Sequence, residues 1–253
     1  MKFVSFVALV ALAVGLSSGA RAQSEISLLA PNPSKETIDK LVEGFTAKTG
    51  TKVKITYGSG VGTRQTVAKG GALDVTLLYA PFDEALKTAN VVKSSATVVA
   101  RLRLAIAVKK GAPKPDISNA AAVKRTLLNA KSIISVDPAQ GSVGGAVLLA
   151  LDKMGIADRM KTKIKWVPGG GEVQTSVAKG ETEIAFGPYL SDIRNPGLDV
   201  VGALPPDAAT PVDITGFLST TIKDANGGRA LLAYLASAEA APVWREAKAF
   251  PVR

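Results

Sequence analysis

Apolar residues along this chain fall into two alternating rhythms. Ile38, Leu41, Val42 and Phe45 recur at i, i+3, i+4 and i+7, which predicts an amphipathic helix opened by Asn32-Pro33-Ser34 and closed by Gly50. Residues 25–30 before it read as a strand. Residues 52–57 alternate strictly, Val53, Ile55 and Tyr57 on one face and Lys52, Lys54 and Thr56 on the other, the pattern of a half-buried or edge strand. Gly58-Ser59-Gly60-Val61-Gly62 leads into a short helix over 63–69, stopped by Gly70-Gly71. A strand at 75–79 follows, and Pro81-Phe82-Asp83-Glu84 opens the next helix. The run 98–108 reads as one long strand with Leu102, Leu104, Ile106 and Val108 on one face.

The second half repeats this grammar. A helix is predicted over 120–128, then a strand at 133–136, a turn rich in small residues from Asp137 to Gly145, and a helix stopped by Gly155. The strand at 164–167 ends in Pro168-Gly169-Gly170-Gly171 and feeds a helix over 172–179, stopped by Gly180. The strand at 183–186 ends in Gly187-Pro188-Tyr189. A strand at 198–201 is broken by Pro205-Pro206, and a strand at 214–222 and helices at 229–235 and 238–247 close the chain. Repeated β-loop-α units predict an α/β protein with mostly parallel sheets flanked by helices. Ligands of such sheets sit at the carboxyl ends of the strands.

The stretch 133–155 shows what those ends offer. A strand, a small-residue turn and a helix start bring free backbone N–H groups around one point, and the helix dipole adds partial positive charge. That chemistry suits a small anion. The same residues also suit an ordinary strand–helix connection, so the stretch alone leaves both readings open.

The chain begins with one lysine, an apolar run over 3–16 and a small-x-small site at Ala20-Arg21-Ala22. This predicts a cleavable signal peptide over 1–22, its apolar core too short to span a membrane, and hence an exported, periplasmic protein. There is no cysteine and no histidine among 253 residues. Disulfides are therefore excluded, as are catalysis by Ser-His-Asp or Cys-His and histidine-ligated zinc chemistry. No metal or cofactor is expected. The net charge of +10 is spread along the chain, with aromatics at only 5%, so neither a basic run nor a stacking platform for nucleic acid is visible. Solubility and long-range attraction of an anion explain the charge. The absence of a cysteine after the leader argues against a lipid anchor.

Several stretches carry a resemblance taken together: 40–50 (Lys40 to Gly50), Val53 to Gly60, Gly70 to Val75, Val136-Asp137-Pro138, Leu151 to Gly155, Val177 to Glu181 and Leu235 to Pro242. In order and spacing the chain resembles the periplasmic solute-binding proteins of ABC importers, in the molybdate-binding-like (type II) branch. The resemblance implies two α/β lobes joined by two crossings, lobe one at 23–102 plus 215–253 and lobe two at 103–214, which close on a ligand and dock on an inner-membrane permease. It implies a monomer and no enzyme. It also places five ligand loops, at Pro31, Asn32, Pro33 and Ser34, at Ser59 and Gly60, at Ser142 and Val143, at Gly170 and Gly171, and near Pro188 and Tyr189. Three points depart from the molybdate pattern: Pro31-Asn32 replaces the usual Ala-Ser, Gly169-Gly170-Gly171 has no clear counterpart, and the tyrosine after the late strand aligns with Pro188 or, with one gap, Tyr189.

Each candidate has a plainer role. Asn32 and Ser34 suit a helix cap, Ser59 and Gly60 a turn, Gly170 and Gly171 a tight turn, Tyr189 a core or surface aromatic, and Arg64 a solvated helix position. Gly58-x-Gly60-x-Gly62 lacks the third glycine spacing and the later acid of a dinucleotide loop. Three functions follow in order. The first is a receptor for an oxyanion such as molybdate or tungstate. The second keeps the fold and takes a small organic carboxylate. The third is an exported enzyme, for which Asp137 is the acid that falls in a predicted ligand loop.

Overall fold

The computed structural model describes residues 25–192 and 194–252, so the expected signal peptide lies outside the described residues. The chain runs β1 (Ile26–Pro31), one 3-10 turn (Asn32–Ser34), α1 (Lys35–Thr49), β2 (Val53–Gly58), α2 (Gly60–Ala68), β3 (Val75–Tyr79), α3 (Asp83–Leu86), β4 (Val91–Leu102) and β5 (Leu104–Lys109). It continues through α4 (Ala120–Asn129), β6 (Ile133–Val136), α5 (Ser142–Lys153), α6 (Ala157–Met160), β7 (Ile164–Val167), α7 (Gly170–Lys179), β8 (Ile184–Pro188) and α8 (Tyr189–Asp192). It closes with β9 (Leu198–Ala203), β10 (Val212–Ser219), α9 (Ala225–Leu235), α10 (Ala241–Glu246) and β11 (Phe250–Pro251).

These strands form two sheets, one of six in the order β11-β4-β10-β3-β1-β2 and one of five in the order β7-β6-β8-β5-β9. Parallel pairing joins β1 to β2 and β3, and β6 to β7 and β8. β10 pairs antiparallel with β3 and β4, β11 with β4, and β5 with β8 and β9. The sheets are thus mixed where the β-loop-α rhythm predicts mostly parallel ones. Every antiparallel pair includes β4, β5 or β10, strands that lead into or out of the two passages between the sheets; β4 ends and β5 begins one residue apart, at Arg103.

The same passage splits the long strand predicted over 98–108. Its first part pairs with β10 in the six-stranded sheet and its second with β8 and β9 in the other. The return passage, residues 204–211, runs beside it. Leu204 donates its N–H to the Leu104 carbonyl (2.8 Å), and Arg103 Nη2 donates to the Leu204 carbonyl (2.6 Å).

The predicted faces fill the cores. Ile38, Leu41 and Phe45 of α1 are fully buried with Leu28, Leu77 and Tyr79. Ile106, Ile133, Val147, Leu151 and Phe186 do the same for the five-stranded sheet. Each such side chain contributes about 1.5–3 kcal/mol of hydrophobic stabilisation. β2 stands at a sheet edge, and its outward Lys54 and Thr56, with Lys52 just before it, are exposed there. Lysines on an edge discourage pairing with another chain. Gly50 and Gly180 adopt the left-handed conformation that stops α1 and α7 (φ 74° and 80°).

Candidate functional site

The carboxyl ends of β1, β2, β6, β7 and β8 all face one cleft of about 310 Å³ between the two sheets. From the six-stranded side it is lined by Asn32, Pro33, Ser59, Gly60 and Tyr79. From the five-stranded side come the first residues of α5 and α7, with Gln140, Gln174, Phe186, Gly187, Pro188 and Asp192. No Lys or Arg lines it among the described residues.

What the cleft offers is backbone N–H groups. The first N–H groups of a helix have no partner inside it and are usually met by a capping side chain. The starts of α4 and α9, away from the cleft, follow this rule, Asn119 accepting from the Ala122 N–H and Asp224 from the Gly227 N–H, whereas α1, α6 and α10 begin without a side-chain cap. At the cleft α5 and α7 are preceded by Gly141 and Gly169, which have no side chain to cap them. Both glycines hold extended backbone, the conformation of an N-cap, so the helix starts are well formed and unserved. α2 is served by Ser59, whose Oγ accepts from the Gly62 N–H (2.9 Å) and keeps its own hydrogen to donate.

Two hydroxyls add to these donors. Ser142 is 2% exposed, and its Oγ has no hydrogen-bond partner. The Tyr79 hydroxyl is fully buried and likewise unpartnered. Burial holds its pKa well above the ordinary tyrosine value, opposed by Ser34 and Arg194 nearby. The Ser34 hydroxyl is committed to the Pro31 carbonyl (2.8 Å), and no well-formed hydrogen bond joins it to Tyr79. Buried hydroxyls without partners are costly, which marks both as groups a ligand would satisfy.

Two glycines make the geometry possible. A Cβ on Gly144 would stand 2.2 Å from the Val136 carbonyl oxygen, so only glycine lets α5 settle on the end of β6. A Cβ on Gly60 would stand 2.8 Å from Ser142 Oγ and 3.3 Å from the Ser142 nitrogen, so the starts of α2 and α5 meet across the cleft through a bare backbone. Beside the cleft, Arg194 ties the end of α8 to α1. It donates to Thr37 Oγ1 (2.6 Å), and its Nε lies 3.1 Å from Glu36 Oε2.

Of the residues singled out in the sequence, Asn32, Pro33, Ser59, Gly60, Ser142, Val143, Gly170 and Gly171 line this cleft together. Ser34 and Tyr189 are not among its lining. Ser34 turns inward, fully buried, to the Pro31 carbonyl. Tyr189 opens α8 and donates its N–H to the Arg103 carbonyl (3.0 Å), leaving Pro188 at the wall. Arg64 is also absent from the lining and donates to the Pro81 carbonyl. Asp137 caps its own turn, accepting from the Ala139 N–H (2.8 Å); the carboxylate in the cleft is Asp192. Gln140, Gln174, Tyr79 and Asp192 were missed. Gln174 had a signal, since it follows Gly170 by four residues and so shares its helix face.

Two α/β sheets, joined by two adjacent passages with a cleft between their strand ends, have the two-lobe fold of periplasmic binding proteins. The chain belongs to the bacterial extracellular solute-binding protein family, whose profile matches residues 26–247. It is 31% identical over 223 residues to an aconitate isomerase from Pseudomonas sp, covering 85% of this chain and 84% of that one. Among solved structures it resembles the periplasmic molybdate-binding protein of Azotobacter vinelandii, with a TM-score of 0.71 and 16% identity over 90% of this chain and 100% of that one. It also resembles the sulfate-binding protein SubI of Mycobacterium tuberculosis, with a TM-score of 0.74 and 17% identity over 90% of this chain and 87% of that one.

Proposed function

We propose that this protein is an exported, monomeric receptor that captures a small organic anion with more than one carboxylate and presents it unchanged to an inner-membrane ABC permease. The observation that carries this is the convergence of the uncapped starts of α5 and α7, the start of α2 and the buried Ser142 and Tyr79 hydroxyls on one cleft. Neutral donors bind an anion without a counter-charge that would hold it too long. A micromolar complex needs about −8 kcal/mol, which several charge-assisted hydrogen bonds of roughly 1.5–3 kcal/mol each supply after ordering costs.

Two facts favour a polycarboxylate. The cleft of about 310 Å³ exceeds what a five-atom oxyanion fills. The relative at 31% identity is named for a tricarboxylate substrate. The lobes of this reading are 23–102 plus 215–253 and 103–214, closing about the passages at Arg103 and 204–211.

A second reading, a tetrahedral oxyanion such as molybdate, tungstate or sulfate, is favoured by a lining without Lys or Arg among the described residues and by the fold of the molybdate and sulfate binders. Titration calorimetry decides between them. Aconitate, citrate and tricarballylate should release or absorb heat with micromolar midpoints, and molybdate, tungstate and sulfate should not; the reverse result establishes the oxyanion. Proton NMR of the aconitate complex should show a single unchanged isomer. Interconversion of cis- and trans-aconitate would make the protein an enzyme.

A further inference from the structure

We propose that Arg194 is a latch between the two halves of the molecule, an ion pair and hydrogen bond that form as the cleft closes and so raise affinity without touching the ligand. This rests on the reading above in which the halves close about a bound solute, whatever that solute is. The juxtaposition behind it is a cation of one half seated in an acidic groove of the other, at the rim of the cleft.

Arg194 lies between α8 and β9, on the five-stranded side. Its partners stand in the first turn of α1, on the six-stranded side: Nη2 donates to Thr37 Oγ1 (2.6 Å), and Nε lies 3.1 Å from Glu36 Oε2. The groove that receives it, about 200 Å³ between α1 and α10, is also lined by Lys40 and Glu246, which pair with each other (2.8 Å). Other ion pairs stay within one half: Lys48–Glu239 and Arg101–Asp213 on the six-stranded side, Lys165–Glu172 on the five-stranded side. The Arg194–Glu36 pair crosses from one to the other. It does so beside the ligand walls, since α8 packs on the turn Asn32–Ser34, and Asn32 and Asp192 both line the cleft.

An exposed ion pair adds little to folding, because water and side-chain entropy offset it. An equilibrium between open and closed forms is balanced far more finely than folding, so a small gain in the closed form moves it. This contact is also better sheltered than a solvated pair: the Arg194 side chain is 25% exposed and Thr37 is buried. The dipole of α1 opposes a cation at its first turn and Glu36 offsets that opposition, which keeps the contact reversible. Ligand and latch favour the same closed form, so each strengthens the other.

The chain has no cysteine, so spin labels attach only where one is introduced, at Gln65→Cys on α2 and Thr175→Cys on α7, both exposed and outside the cleft lining. Electron-resonance distances between them read the gap between the halves, and calorimetry with citrate and tricarballylate reads affinity. Arg194→Ala should lengthen the distances in the ligand-free protein and weaken both ligands by the same factor, roughly 3- to 10-fold. Glu36→Gln should act in the same direction, and the two together should do no more than Arg194→Ala alone. Exchanging the charges, Arg194→Glu with Glu36→Arg, should recover part of the loss, which a merely structural role of Arg194 would not. Glu36 is mostly exposed, so Glu36→Gln serves if Arg194→Ala fails to fold. Unchanged distances, unchanged affinity for a carboxylate that binds, or effects of the two substitutions that add in full, each overturns the latch. If neither carboxylate binds, the carboxylate reading fails, and the distances in the ligand-free protein decide the latch by themselves.

Discussion

The two sides of the cleft reach the same chemistry by different routes. On the six-stranded side the start of α2 is served by its own serine, and the donors left over are side-chain hydroxyls, Ser59 and Tyr79. On the five-stranded side α5 and α7 begin after glycines, and the donors are the backbone itself, with the Ser142 hydroxyl on the first residue of α5. Helices that point elsewhere, α4 and α9, carry Asn and Asp caps. The contrast is with the capped α4 and α9, since α1, α6 and α10 also begin without a side-chain cap; in the proposed reading the unserved starts of α5 and α7 are where a ligand would complete the fold. On that reading the five-stranded half gives up some stability in the empty state, and a bound ligand would restore it.

That comparison can be broken most sharply where the halves meet. Gly60→Val should hold the start of α2 away from Ser142 and lower affinity about 100-fold, roughly 2.7 kcal/mol, with the melting temperature of the empty protein little changed. Calorimetry and thermal melting report both. Ser142→Ala should lose about tenfold in affinity, near 1.5 kcal/mol, while denaturant unfolding of the empty protein shows equal or greater stability, because a buried hydroxyl without a partner has gone.

Gly169→Ser gives α7 the cap it lacks, and a Cβ there meets nothing within 4 Å. The empty protein should gain about 0.5–1 kcal/mol, and affinity should fall a few-fold because the new hydroxyl competes for the N–H groups the ligand uses. Asn119→Ala is the contrast. It should cost about 1 kcal/mol in stability and leave affinity unchanged, since α4 starts outside the cleft. Affinity loss in Asn119→Ala equal to that in Gly169→Ser would erase the distinction between the two kinds of helix start.

Much of this was legible in the sequence because two strong signals coincide. The periods of 2 and 3.6 place strands and helices, and loops after strands collect the site. Ile133–Val136 followed by a small-residue turn and a helix is what the structure contains, and Asn32, Ser59, Ser142 and Gly170 follow four different strands into one cleft. What was hidden depended on side-chain direction and partner strands. Ser34 looks like a ligand group but bonds backward to Pro31. Residues 98–108 look continuous because both parts are apolar and alternate, and only pairing with different sheets divides them. Asp192 lay in a short helix with no apolar period to announce it, while Asp137, in the expected loop, spends its carboxylate on its own turn.

The two passages between sheets lie side by side, and Arg103 bolts one to the other through the Leu204 carbonyl. In the proposed reading the lobes close about these two tethers, and their joining at Arg103 favours a swivel about a single axis over sliding or twisting. On that reading the backbone amides and hydroxyls around the cleft would return to the same register at each closure, so recognition would be settled by the shape of the joint before any solute arrives.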